Sequence, residues 1–161
     1  VLYFEHKLLY RRIKEDVPAE DYVVPLGQAR VARAGTDISV ITYGAMVYVA
    51  LEAAEKLAQE GDGVDVEVID LRCLVPLDRE AVLETVRKTS RVILLHEDTR
   101  TAGFAGELAA LIASDAFDYL DAPVLRVTAP DCPVPYSPPL EDAFLPHAAD
   151  VIAAVRRSMA Y

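Results

Sequence analysis

The sequence predicts an α/β fold in three layers: an open, mainly parallel sheet with helices on both faces. Two observations carry this. From residue 35 onward, short β-branched runs alternate with longer stretches whose apolar residues recur every three or four positions. Each switch is marked by turn-forming residues, as at Gly35-Thr36-Asp37, Gly44, Gly61-Asp62-Gly63 and Pro76-Leu77-Asp78. Strands and helices in alternation give parallel strands joined by right-handed crossovers.

Residues 1–4, Val-Leu-Tyr-Phe, read as a strand. Residues 5–12 mix charge with Leu and Tyr. Residues 17–22 form a turn-rich linker, with Pro25 and Gly27 close behind. The boundary is expected here: residues 1–24 as the end of a preceding domain and its linker, residues 25–161 as the compact domain. Residues 28–34 alternate enough for an edge strand. Residues 38–43 read as a buried strand, Gly44 as a tight turn, and residues 45–60 as a helix burying Met46, Val49, Ala50, Ala53 and Leu57.

Val64, Val66, Val68 and Ile69 mark the next strand, over residues 64–70, expected at the centre of the sheet. Residues 71–74 then carry the chain over the sheet end. Pro76 stops any strand and Asp78 is placed to cap the next helix. That helix runs over residues 78–88, with Val82, Leu83 and Val86 inward. A strand over 91–95, a helix over 103–116 (Phe104, Leu108, Leu111, Ile112) and a strand over 123–127 follow. Residues 129–139 read as a stiff, packed, proline-rich loop, and residues 142–147 as irregular. Asp150 is the expected cap of a last helix burying Val151, Ile152, Val155 and Met159.

The 161 residues suffice for one domain with a real core, and 53% apolar content argues against global disorder. No apolar run approaches the roughly 18 residues of a membrane span. Residues 1–10 contain Glu5, His6 and Lys7, unlike a secretory signal. The first residue is Val rather than Met, as expected of a piece of a longer chain. Acids outnumber Lys and Arg 26 to 16, for a net charge of −10. That disfavours nucleic acid and anionic membranes, which select basic clusters. The excess serves either solubility alone or the attraction of a basic protein partner. Two cysteines, Cys73 and Cys132, make no disulfide framework and fit a reducing compartment, the cytoplasm or the mitochondrial matrix.

Several residues invite a chemical reading beside a plainer one. Gly44 ends a strand and opens a helix, where backbone amides can hold an anion; a dinucleotide fingerprint needs two further glycines, and a tight turn explains Gly44 alone. His96 precedes Glu97 and Asp98, and Gly103 starts a helix, so this stretch falls at a strand end, where ligands bind in such sheets. His96 reads either as an acid or as a contact ordering a loop or interface. Arg72 beside Cys73 can lower a thiol pKa, yet Cys73 also fits as a small packed residue. No convergent His/Cys set for a metal is visible. Asp115, Asp118 and Asp121 recur every third residue, and the tail to Tyr161 adds a carboxylate. They form either a solvated face or a dock for a Lys/Arg-rich partner, with Asp118, Asp121 and Tyr161 as its contacts.

A set of motifs then falls in order along almost the whole chain. These are Phe4-Glu5-His6-Lys7-Leu8-Leu9-Tyr10-Arg11, Pro25-Leu26-Gly27-Gln28-Ala29, Val68 through Asp78, Lys88-Thr89-Ser90-Arg91, His96-Glu97 with Gly103-Phe104, and Arg126 through Tyr136. Together they resemble the beta subunit of 2-oxo acid dehydrogenases, of branched-chain or pyruvate type. The resemblance covers the carboxyl-terminal, transketolase C-terminal-like domain. Ala102 stands where many relatives carry a second Gly, and Cys73 and Ser90 where Thr and Gly are common.

The resemblance implies an intact α2β2 enzyme with thiamine diphosphate and Mg²⁺. That enzyme decarboxylates a 2-oxo acid and passes the acyl group to a lipoyl group. Its implied partners are an alpha subunit, a second beta subunit and the subunit-binding domain of the dihydrolipoyl acyltransferase. No residue here matches the cofactor-contacting set, so this chain is expected to be inactive alone and to serve assembly and docking. Arg72 and His96 then become interface or loop-ordering residues rather than catalytic ones. A C-terminal domain of transketolase, or of another single-chain thiamine diphosphate enzyme, is the alternative.

Overall fold

All five residues of Ile38–Thr42 are buried, and this strand is the middle of the sheet. The structure is a computed structural model and describes residues 5–61 and 63–161. The strand expected over residues 1–4 lies outside them, as does Asp62 of the expected helix-ending turn. In chain order the elements are β1 (Arg30–Arg33), β2 (Ile38–Thr42), α1 (Met46–Glu60), β3 (Val66–Asp70), α2 (Arg79–Thr89), β4 (Val92–Thr99), α3 (Phe104–Asp115), β5 (Leu125–Ala129), α4 (Pro138–Phe144) and α5 (Ala148–Met159). Short 3-10 helices occupy Lys7–Arg11 and Phe117–Tyr119.

The strands lie in the order β1-β3-β2-β4-β5. The pairs β2–β3, β2–β4 and β4–β5 are parallel, and β1 pairs antiparallel with β3. The three-layer, mainly parallel expectation therefore holds, with one antiparallel edge. The position of β3 differs from expectation: it is second from an edge, and β2 is central. Covered strands look alike in sequence whether central or one step out, because helices seal both faces of each.

Strand alternation divides the core. Ile38, Val40, Val66, Val68, Ile93 and Leu95 meet α1 and α5 through Ala50, Ala53, Leu57, Val151 and Val155. Ile41, Ile69, Val92 and Leu94 meet α2 and α3 through Val82, Val86, Leu108 and Ile112. Each such aliphatic side chain contributes about 1.5–3 kcal/mol by leaving water.

Four local expectations are corrected. β4 runs on through His96 to Thr99 instead of stopping at 95, because Thr99 pairs with Ala129 beyond an irregularity in the ladder. Residues 138–144, expected as loop and irregular chain, form α4, with Ser137 before it and Pro138 and Pro139 in its first turn. Proline is preorganised there and lacks only an N–H the helix does not use. Asp150 caps α5 from inside it, accepting the His147 N–H at 2.8 Å. Ser158, fully buried, takes the inward place expected of Met159, which is 36% exposed.

Candidate functional site

The carboxyl ends of β2, β3, β4 and β5 carry the chemistry-bearing residues into one rim. After β2 the chain turns at Gly44, with φ +61°. After β3 the Leu71 N–H donates to the Thr42 carbonyl at 2.9 Å, holding the 71–78 loop against β2. Arg72 sits with φ +57°, its backbone N–H on Asp70 Oδ1 at 3.1 Å and its side chain exposed. Asp78 anchors the far end of this loop. It accepts from the Ala81 N–H at 3.2 Å as the cap of α2, and from the Ala29 N–H at 2.8 Å, tying α2 to the approach to β1.

His96 belongs to a strand, not to a loop, and is 1% exposed. Its ring stacks on Tyr43 (centroids 6.3 Å, planes 28° apart), and Phe104 meets Tyr43 edge-on. Gly103 closes over it: a Cβ there would stand 2.6 Å from His96 Cε1 and 2.3 Å from the Thr99 carbonyl oxygen. Neither ring nitrogen has a hydrogen-bond partner among the described residues. Burial lowers the imidazole pKa below its usual value, outweighing the opposing pull of Asp98. Tyr43 is raised, first by burial and then by Asp98 and Glu97. Beside this cluster Asp131 fixes the next loop, accepting from the Thr101 N–H (2.8 Å) and Oγ1 (2.6 Å). These bonds hold its carboxyl below the usual range.

The rim does not assemble a nucleophile and base. Arg72 and Cys73 open on a cavity of about 460 Å³ shared with Leu9, Leu26 and Tyr48. His96 is not on its wall; the carboxyl there is Asp70. Glu97 points elsewhere, pairing with His6 at 3.0 Å. That pair, which brings residues far apart in sequence together, went unread because a lone His and a lone Glu carry no local signal. Among the described residues no three His, Cys, Asp or Glu side chains gather to hold a metal ion. The rim's hydrogen bonds hold its loops, at Asp70, Asp78 and Asp131.

The acidic residues reach the opposite end of the domain. Asp118 and Asp121 follow α3, while Tyr161 follows α5 on the other face of the sheet, so they approach the amino ends of the strands from two sides. Their charge is partly met within the chain: Asp115 pairs with Arg79 (2.8 Å) and Asp121 with Arg91 (3.3 Å). Phe117 (68% exposed) and Tyr119 (48%) add apolar surface beside Asp118.

The sheet is covered on both faces and gathers its loops at the carboxyl ends of its strands. Residues 27–151 match the family "Transketolase, C-terminal domain", and the chain belongs to that family. It is 49% identical over 157 residues to the 2-oxoisovalerate dehydrogenase subunit beta of Bacillus subtilis, covering 97% of this chain and 47% of that protein. It is 44% identical over 161 residues to the pyruvate dehydrogenase E1 component subunit beta of the same organism, covering 100% and 49%. A solved split-gene transketolase, described as an inactive beta4 tetramer, superposes with a TM-score of 0.74 at 28% identity, over 91% of this chain and 46% of that one. Its relatives thus include beta subunits of 2-oxo acid dehydrogenases, and the chain spans about half the length of the relatives it matches.

Proposed function

We propose that this chain is the C-terminal domain of the beta subunit of a thiamine-diphosphate-dependent 2-oxo acid dehydrogenase, an assembly part of that oxidoreductase. The supporting observation is the likeness to such subunits along 157 of its residues. In this reading the intact enzyme decarboxylates a 2-oxo acid oxidatively and transfers the acyl group to lipoyl. The alpha subunit and a second beta subunit complete it, and it works in the bacterial cytoplasm or the mitochondrial matrix. Residues 1–24 are the end of the preceding domain and its linker. Arg72 and His96 order the strand-end loops against a neighbouring domain or subunit. Asp118, Asp121 and Tyr161 contact the basic subunit-binding domain of the acyltransferase. The described residues offer no metal set for Mg²⁺, so no chemical step is assigned to them.

Calorimetry tests this. Thiamine diphosphate with Mg²⁺ gives no saturable heat with the chain alone, and binds when the intact beta subunit is combined with its alpha subunit. Tight saturable binding to the chain alone overturns the reading and favours a self-sufficient site. The alternative is the C-terminal domain of a transketolase or single-chain thiamine enzyme. The 28% identical split-gene transketolase supports a transketolase reading, while the single-chain form of the alternative requires cofactor binding by the intact protein without any alpha subunit.

A further inference from the structure

The edge formed by β5 carries positive charge in a chain whose net charge is −10. Among the described residues β5 is paired on one side only, by β4. An open strand edge offers unpaired backbone N–H and C=O groups to another extended chain. Beside β5 runs a trough of about 480 Å³, floored by Leu125, Val127, Ala153 and Ala154 and flanked by Arg100 and Arg157. A second cavity of about 320 Å³ continues it toward the carboxyl end, sharing Arg100, Arg126 and Val127.

Arg100 and Arg126 are locked together. Arg100 Nη1 donates to the Arg126 carbonyl at 3.1 Å, and Arg126 Nη1 donates to the Arg100 carbonyl at 3.2 Å. Among the described residues none of Arg100, Arg126 and Arg157 lies within ion-pair distance of a carboxylate, although ten such pairs form elsewhere. The acids at this end are engaged: Asp131 by Thr101 and Asp150 by the His147 N–H. Arg157 alone carries nothing, since a cation in the last turn of a helix is favourable by itself. Asp131 offsets Arg100 at longer range, but three guanidiniums along one open strand remain without an ion pair among the described residues, and like charges held close together favour an added anion.

We propose that the β5 edge docks an extended, carboxylate-bearing polypeptide segment of another protein, its backbone pairing with β5 and its acids meeting Arg100, Arg126 and Arg157. The apolar floor takes alternate apolar side chains, as in strand addition. The length and continuity of the trough favour a chain over a small anion, which a single guanidinium fork would satisfy. This dock is opposite in sign to the acidic residues Asp118 and Asp121, although its trough begins at Pro123, close to Asp121.

Fluorescence anisotropy on the intact beta subunit tests it, using a labelled peptide of alternating Glu and Val. Saturable binding is expected, weakened about tenfold by Arg100→Gln with Arg157→Gln, both solvent-facing replacements. It weakens in high salt and is lost when alternate peptide nitrogens are methylated. Unchanged binding in the double variant overturns the proposal. So does equal competition by inorganic phosphate, which marks a small-anion site. Dimerisation of the subunit that the double variant abolishes also overturns it, because the occupant is then a second copy. None of these outcomes depends on thiamine diphosphate, so they leave the reading of the domain itself untouched.

Discussion

Against α1 and α5 the sheet presents Ile38, Val40, Val66, Val68, Ile93 and Leu95. Against α2 it presents Ser39 and Glu67 from the same two strands, both buried. On that side Ser39 Oγ meets Thr85 Oγ1 at 2.5 Å and Thr89 Oγ1 at 2.7 Å, and Thr85 Oγ1 donates to Glu67 Oε1 at 2.6 Å. Lys88 Nζ closes the chain on Glu67 Oε2. The first face also buries hydroxyls, those of Thr42 and Ser158, but neither has a partner among the described residues. So one face is held by non-directional burial, while the other adds a connected set of hydrogen bonds that fixes where along the sheet α2 sits. Apolar contact tolerates sliding, whereas a buried polar chain is satisfied in one register only.

That contrast can be broken most severely at Glu67. Glu67→Ala removes the acceptor of the Thr85 hydroxyl, leaves Lys88 without its partner and opens a cavity, for a loss of about 3 kcal/mol in urea unfolding. A loss below about 1 kcal/mol would mean that the network is incidental and that the two faces are closed alike. A gain is expected on the polar side at two positions where non-glycine residues sit in left-handed backbone: Ser90 (φ 56°), which ends α2, and Ala102 (φ 61°), before Gly103. Ser90→Gly and Ala102→Gly should each raise stability by about 1 kcal/mol, read as a shift in the denaturation midpoint.

The hydroxyls sharpen the comparison further. Ser39→Ala should cost about 1 kcal/mol, because it removes a partner from Thr85 and Thr89, while Ser158→Ala should be neutral to within about 0.5 kcal/mol. Equal costs would erase the distinction between the faces. The smallest effect belongs to His96. Its folded pKa lies below the unfolded value near 6.5, so the unfolded chain takes up the proton first as pH falls. Its neutral form is accommodated fully above about pH 7, and stability drains away below it, by at most about 1.4 kcal/mol per pH unit. His96→Gln should flatten the stability profile between pH 7 and pH 5. An unchanged slope would place the acid sensitivity elsewhere.

Much of this architecture was legible beforehand. α1, β2, β3 and α2 follow from periodicity and turn residues, because their propensities and their burial agree. The end of β4 was not, since His96-Glu97-Asp98 is polar and only its pairing across to Ala129 makes it strand. α4 was missed although Ser137-Pro138-Pro139 is a helix-start pattern, because five prolines in ten residues read first as loop. The polar network was invisible for another reason. Glu67 between Val66 and Val68 looks like any outward strand position, and its partners lie at 35, 85 and 88. Thr85 and Thr89, one helical turn apart, were the available hint. The rim residues were found but not their grouping: Arg72 and Cys73 share a cavity, while His96 is sealed away with Tyr43 and Gly103.

The order of the strands has a consequence for a chain made from its amino end. Among the described residues β1 has β3 as its only strand partner, so it leaves the ribosome without that partner and must wait until β2 and α1 have followed it out. The α1 face waits longer still, because Val151 and Val155 of α5 complete it. Until then Ile93 and Leu95 are covered on that side by α1 without α5, and the nascent domain keeps apolar surface exposed until it is almost fully synthesised.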